Sequence, residues 1–141
     1  TVEDIARAIA FLATDAAGNL YAGVSPGGRV LRFAPGSSTP TQLLNTRQTF
    51  VWALQFDAQG RLLVATGGAK GQLFRVDNPA SASRLSLSPL ATLPQRHIRA
   101  LSMRGDQIFA GTSDDAVLYQ IDASGASTAL FSVTTAQAPP S

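Results

Sequence analysis

The chain has 141 residues, 45% of them hydrophobic and 14% charged, with a formal charge of +2, which suits one globular domain with a core and excludes a disordered tail. Its arginines are scattered singly between Arg7 and Arg104, so the sequence pI of 9.7 marks no nucleic-acid-tracking stripe, which needs clustered cations. There is no cysteine for a disulfide or a thiolate site, and the longest apolar stretch, residues 8–13, is far short of the ~20 residues of a membrane span.

The first passage of the chain carries two competing patterns. Val2, Ile5, Ile9 and Leu12 fall at helical spacing behind Thr1, a potential N-cap followed by Glu3 and Asp4. Against this stands an internal repeat. Arg7-Ala8-Ile9-Ala10-Phe11 returns as Trp52-Ala53-Leu54-Gln55-Phe56 and as Arg99-Ala100-Leu101-Ser102-Met103. The interval is about 45 residues, the length of a four-stranded propeller blade. The repeat predicts an inner strand over 6–11 rather than a helix.

A turn, Asp15-Ala16-Ala17-Gly18, then leads to a second strand over 19–23. The same order recurs at Asp57-Ala58-Gln59-Gly60 before 61–65 and at Met103-Arg104-Gly105-Asp106 before 107–111, with Asp and Gly supplying the positive φ of tight hairpins. Third strands are predicted over 30–33, 73–76 and 118–121. Weaker fourth strands follow at 41–44, near 85–93 and at 128–133. These runs are short, rich in Val, Leu, Ile, Phe and Tyr, and bounded by Gly, Pro, Asp and Ser, as strands buried on both faces are. The expected fold is all-β: three four-stranded antiparallel blades of an incomplete β-propeller, over 1–46, 47–93 and 94–135, with 136–141 as a linker or tail.

With Trp52 on an inner strand, the loops 45–51 and 94–98 and the turns 24–29, 67–72 and 112–117 converge on one mouth of the channel, where repeat folds usually bind. That face carries Arg47, Phe50, Trp52, Lys70, His97, Arg99, Asp114 and Asp115. His97 is the only histidine and needs a nearby carboxylate or serine to do chemistry. Asp114 and Asp115 either contribute oxygen ligands to a cation held between blades or shape a polar hairpin turn. Trp52 either stacks on a ligand or packs between blades. Arg7, Trp52 and Arg99, taken as equivalent positions, form an anion- or aromatic-binding mouth or else an inter-blade contact. The run Gly67-Gly68-Ala69-Lys70-Gly71 lacks the spacing and the following Ser or Thr of a phosphate loop. No metal or cofactor is expected.

The middle repeat, from Phe50-Val51-Trp52-Ala53-Leu54-Gln55-Phe56-Asp57 through Val64-Ala65-Thr66-Gly67-Gly68 to Gly71-Gln72-Leu73-Phe74-Arg75-Val76, resembles a family of bacterial β-propeller repeat proteins whose blades run W-A-L-x-F-D-x-x-G-x-L. Ala22-Gly23-Val24-Ser25-Pro26-Gly27-Gly28 matches in outline, whereas Gly111-Thr112-Ser113-Asp114-Asp115-Ala116 lacks the family's final glycine. The resemblance implies exported proteins more than twice this length, hence a periplasmic or secreted location and a chain that is one part of a ring. Three blades are too few to close one, so further blades or copies are expected to complete it. Propellers host many activities. One histidine, no cysteine and no nucleophile motif point first to a non-enzymatic protein-interaction or scaffolding module with a protein partner. A carbohydrate- or small-ligand-binding, lectin-like propeller comes second. Third is a lyase, lactonase or quinoprotein whose site lies on other blades.

Overall fold

The computed structural model describes residues 8–133, which form twelve β-strands and no helix. These are β1 (Ala8–Thr14), β2 (Leu20–Ser25), β3 (Arg29–Phe33), β4 (Thr41–Asn45), β5 (Phe50–Phe56), β6 (Leu62–Gly67), β7 (Gln72–Val76), β8 (Ala91–Thr92), β9 (His97–Arg104), β10 (Gln107–Ser113), β11 (Ala116–Ile121) and β12 (Ser127–Val133). The all-β expectation holds. Strands pair with their sequence neighbours, antiparallel, in three runs of four: β1 to β4, β5 to β8 and β9 to β12. The runs are not three separate sheets. A single pair, Gly67 with His97, joins β6 to β9 and fuses the second and third runs into one curled sheet.

The turns explain the register. Asp15 Oδ1 accepts the N–H groups of Ala17 and Asn19 at 3.0 and 2.9 Å, and Asp57 Oδ1 accepts those of Gln59 and Arg61 at 2.9 Å each. Gly18 and Gly60 then close the hairpins at φ 90° and 79°, a region that favours glycine. A third copy of this Asp-Ala-x-Gly box, at Asp122 to Gly125, closes β11 onto β12, a connection at which the other two repeats do not use it.

Anchoring the repeats on these turns corrects the alignment of the first one. Thr14 faces Leu20 as Phe56 faces Leu62, which makes Ala10, not Arg7, the counterpart of Trp52. Each first strand carries a bulge at this point, between Ile9 and Phe11, between Val51 and Ala53, and opposite Gly111/Thr112 beside Arg99. A bulge adds a residue that hydrophobic pattern alone does not register. Strand β1 accordingly lies further along than 6–11, and its described part is extended, not helical. Arg7, with the rest of residues 1–7, lies outside the described residues, as does the tail 136–141.

The fourth strand expected near 85–93 splits in two. Arg84 and Leu85 donate their N–H groups to the carbonyls of Gln42 and Leu43 at 2.7 and 2.9 Å, and Leu85 forms a parallel bridge with Leu44 on β4. Only Ala91 and Thr92 pair with β7. The excursion is pinned by the Arg32 guanidinium, which donates to the carbonyls of Pro79 and Ala82 at 2.6 and 2.5 Å. It covers the outer edge of β4, whose backbone would otherwise be open.

The core forms two layers. Tyr21, Val30, Leu43, Leu44 and Val51 pack with Leu62, Val64, Phe74 and Val76 between the first and second runs. Leu63, Ala65 and Leu73 turn the other way, against Ile98, Ile108, Ala110, Val117, Tyr119 and Ile121. The period-2 alternation of β6 sends successive side chains into opposite layers, which is why every residue of that strand is buried. Among the described residues, the third run has no such second layer on its outward face. There Leu118 is 39% exposed, Leu130 48% and Phe131 63%, and Arg104 lies over the Phe109 ring at 4.9 Å.

Candidate functional site

Alternating strands bring the β2–β3, β4–β5, β6–β7, β8–β9 and β10–β11 connections to one end of the molecule, and backbone hydrogen bonds lock them together. Thr46 and Thr49 bond to Gly28 and Gly67, Gly27 to Thr49, and Gly68 and Gly71 to Arg96 and Gln95. Side chains add to this lattice: the Thr46 hydroxyl donates to Gly28 O at 2.6 Å, Tyr119 OH to Gln95 Oε1 at 2.8 Å, and the Gln48 amide to Gln72 Oε1 at 2.8 Å. The loop face is therefore a rigid platform, not a set of independent loops.

At its centre are two residue pairs at equivalent positions of consecutive repeats. Phe50 lies opposite Gly67, and His97 lies opposite Ser113; Trp52 and Arg99 occupy the bulges that follow. A bulge re-aims its side chain relative to the pleat, and here both turn toward the seam between β5 and β9. The Arg99 guanidinium lies 3.9 Å from the centroid of the Trp52 ring. Phe50 and Trp52 are stacked at 5.0 Å, and His97 meets both edge-on at 5.8 and 5.6 Å. Trp52 Nε1–H donates to His97 Nδ1 at 3.0 Å. An accepting Nδ1 places the proton of the neutral imidazole on Nε2, leaving that nitrogen as the donor.

Gly67 makes this convergence possible. A Cβ at this position would collide with both His97 Nδ1 and Trp52 Nε1. The equivalent residue of the first run is Ser25, whose Oγ accepts the Val51 N–H at 3.0 Å and so ties β2 to β5 by a side chain instead. Neither Gly67 nor Arg96, whose Nε donates to Gly68 O at 3.2 Å, was expected at the site. The glycine at the end of the Ala-Thr-Gly segment, where the third repeat reads Gly-Thr-Ser, was the available signal.

The remaining predicted residues are spread around the cluster. Arg47 is exposed at φ 59° on the β4–β5 loop, with its N–H bonded to Asn45 Oδ1, and Lys70 is exposed on the β6–β7 turn. Asp114, at φ 80°, and Asp115 are exposed on the β10–β11 turn, where the Thr112 hydroxyl donates to Asp115 O at 2.7 Å. Among the described residues no three His, Asp or Glu side chains gather as a metal site, and no helix is long and apolar enough to cross a membrane.

At the opposite end the turn aspartates are held in their charged form from within their own turns. Burial works to raise the Asp15 pKa, yet bonds from Asn19, Tyr21 OH and Ala17 outweigh it and hold the carboxyl below its ordinary value. Asp57 behaves alike: burial opposes ionisation, and the N–H and guanidinium of Arg61 overcome it. Burial and the Asp15 carboxylate together push the Tyr21 phenol up.

This architecture is similar to that of a chain in a crystal structure of a nidogen/laminin complex, with a TM-score of 0.66 at 14% identity, over 90% of this chain and 49% of that one. It is also similar to the computationally designed Ika8 protein, with a TM-score of 0.60 at 18% identity, over 89% of this chain and 36% of that one. The likeness is one of fold. This chain spans half the length of these chains or less. No family model matches the chain, and no curated protein matches it.

Proposed function

We propose that the three runs are consecutive blades of a β-propeller, and that the chain serves as a non-enzymatic protein-interaction module within a ring completed by further blades or further copies. The observation that carries this is the difference between the two sides of the third run. Its inner face is sealed against the second run, whereas its outer face exposes Leu118, Leu130 and Phe131 in the position a following blade would cover. Stacked layers of four antiparallel strands, with first strands β1, β5 and β9 side by side, are the arrangement of propeller blades around an axis. The partial coverage of the longer neighbours supports a segment of a larger ring, and one of these neighbours was crystallised in a protein–protein complex.

The interaction role is supported by His97. Its Nδ1 is committed to Trp52 rather than to a hydroxyl that it could activate. The repeat's resemblance to exported bacterial propellers supports a location outside the cytoplasm. The half-buried Phe50–Trp52 stack favours a second reading, a small-ligand-binding propeller, because stacked aromatic faces also hold sugars and flat rings.

The test is light scattering on the purified chain. Association above 14.7 kDa that is abolished by the pair Leu118→Lys and Phe131→Lys, without loss of melting temperature, is expected. A wild-type monomer at every concentration that binds no hydrophobic dye would refute the incomplete ring.

A further inference from the structure

The charges of this molecule are sorted by end. Among the described residues, the loop face carries Arg29, Arg47, Lys70, Arg96 and Arg99 against Asp114 and Asp115. The opposite end holds the other described aspartates, and these alternate with arginines. Asp57 is bound by Arg61 at 2.6 Å, and Asp77 lies 3.6 Å from Arg75. Among the described residues, no carboxylate lies within ion-pair distance of the five loop-face cations. Such a surface attracts anions before contact and selects among partners by charge.

We infer that this face is a docking site for an acidic peptide segment of a protein partner, with Arg99 on Trp52 as its anchor. The proposal rests on the interaction-module reading and names the chemistry of the partner. A guanidinium over an indole ring still has N–H groups to offer, so a carboxylate can be held there by paired hydrogen bonds. His97 contributes to the same patch as a donor through Nε2, since Nδ1 is occupied by Trp52. The exposed cations on the surrounding turns, Arg47, Lys70 and Arg96, add longer-range attraction along an extended acidic chain. A peptide fits better than a nucleic acid strand because the cations ring a small cluster instead of tracking a line of phosphates, and the chain as a whole is near neutral.

Trp52 is the only tryptophan, so its fluorescence reads this site directly. Titration with an oligoglutamate peptide is expected to change the emission saturably at low salt and progressively less as salt is added, while an oligolysine peptide does nothing. Arg99→Gln should weaken binding about tenfold, and Arg99→Lys, which keeps the charge and loses the planar stack, by a smaller factor. Arg47→Gln, at the rim and outside the aromatic cluster, should give a small loss that shrinks with salt. Arg75→Gln, at the far end, should change nothing. No saturable response to oligoglutamate in the folded wild-type chain would overturn the proposal. So would equal affinity in Arg99→Gln, or binding of oligothymidylate in preference to oligoglutamate. Association through the Leu118 and Phe131 face is measured separately by light scattering, so the ring can stand when the acidic-peptide site falls, and the reverse.

Discussion

The second and third runs share a repeat and nearly the same lengths in their first three strands, yet they differ in how their faces are used. Strand β6 sends Leu62 and Val64 into one layer and Leu63 and Ala65 into another, and all of it is buried. Strand β11 buries Val117, Tyr119 and Ile121 on one face and leaves Leu118 exposed on the other, while β12 is exposed or half-exposed throughout. A four-stranded sheet of this kind is therefore stabilised by its neighbours, not by itself. One-dimensional arrays behave in this way, with each unit depending on the interface beside it.

The largest expected effect lies in the doubly buried run. Phe74→Ala leaves a cavity in the first layer and should destabilise the chain by about 3–5 kcal/mol in chemical denaturation, whereas Phe131→Ala on the open face should stay within about 0.5 kcal/mol. Equal losses would mean that the outer face is not open.

Next is Gly67→Ala at the seam. The added Cβ must displace His97 or Trp52, and roughly 1–3 kcal/mol of overpacking is expected, together with a shift in Trp52 emission. Gly111→Ala, whose Cβ would meet only the Ala100 methyl at 3.7 Å, should be milder.

The turn aspartates give a smaller contrast. Asp57→Ala removes two backbone bonds and the Arg61 pair and should cost about 1–3 kcal/mol; the exposed Asp122 turn should lose less on the same change. The pH dependence follows in sign. Asp15 and Asp57 have folded-state values below their unfolded ones, so their contribution is complete above the unfolded carboxylate value of about 4 and is lost as pH falls through the folded values. Thermal melts should decline below about pH 4, and Asp57→Asn should flatten that decline.

Much of the strand order was legible because β-strands announce themselves by short apolar runs between Asp and Gly turns. The first-strand bulges were not, since an extra backbone residue at Trp52 or Arg99 leaves the composition unchanged and shows only in the register with Thr66, Ala65, Thr112 and Gly111. The excursion of Leu85 onto β4 was hidden for a related reason: its partner is a non-local backbone edge, and no local propensity encodes it. At the candidate site, Phe50, Trp52, His97 and Arg99 were recognisable as unusual residues at recurrent positions. Their mutual contact depends on Gly67, which pattern reading treats as an ordinary turn glycine.

Hydrogen-exchange mass spectrometry on the intact chain, at low and high protein concentration, tests most directly the claim that the third run waits for a neighbour on its outer face. Amides of β6 should be the slowest at both concentrations, and those of β12 should exchange fast in dilute solution and slow down as the chain associates. Protection of β12 equal to that of β6 in a dilute solution shown by light scattering to be monomeric would contradict it.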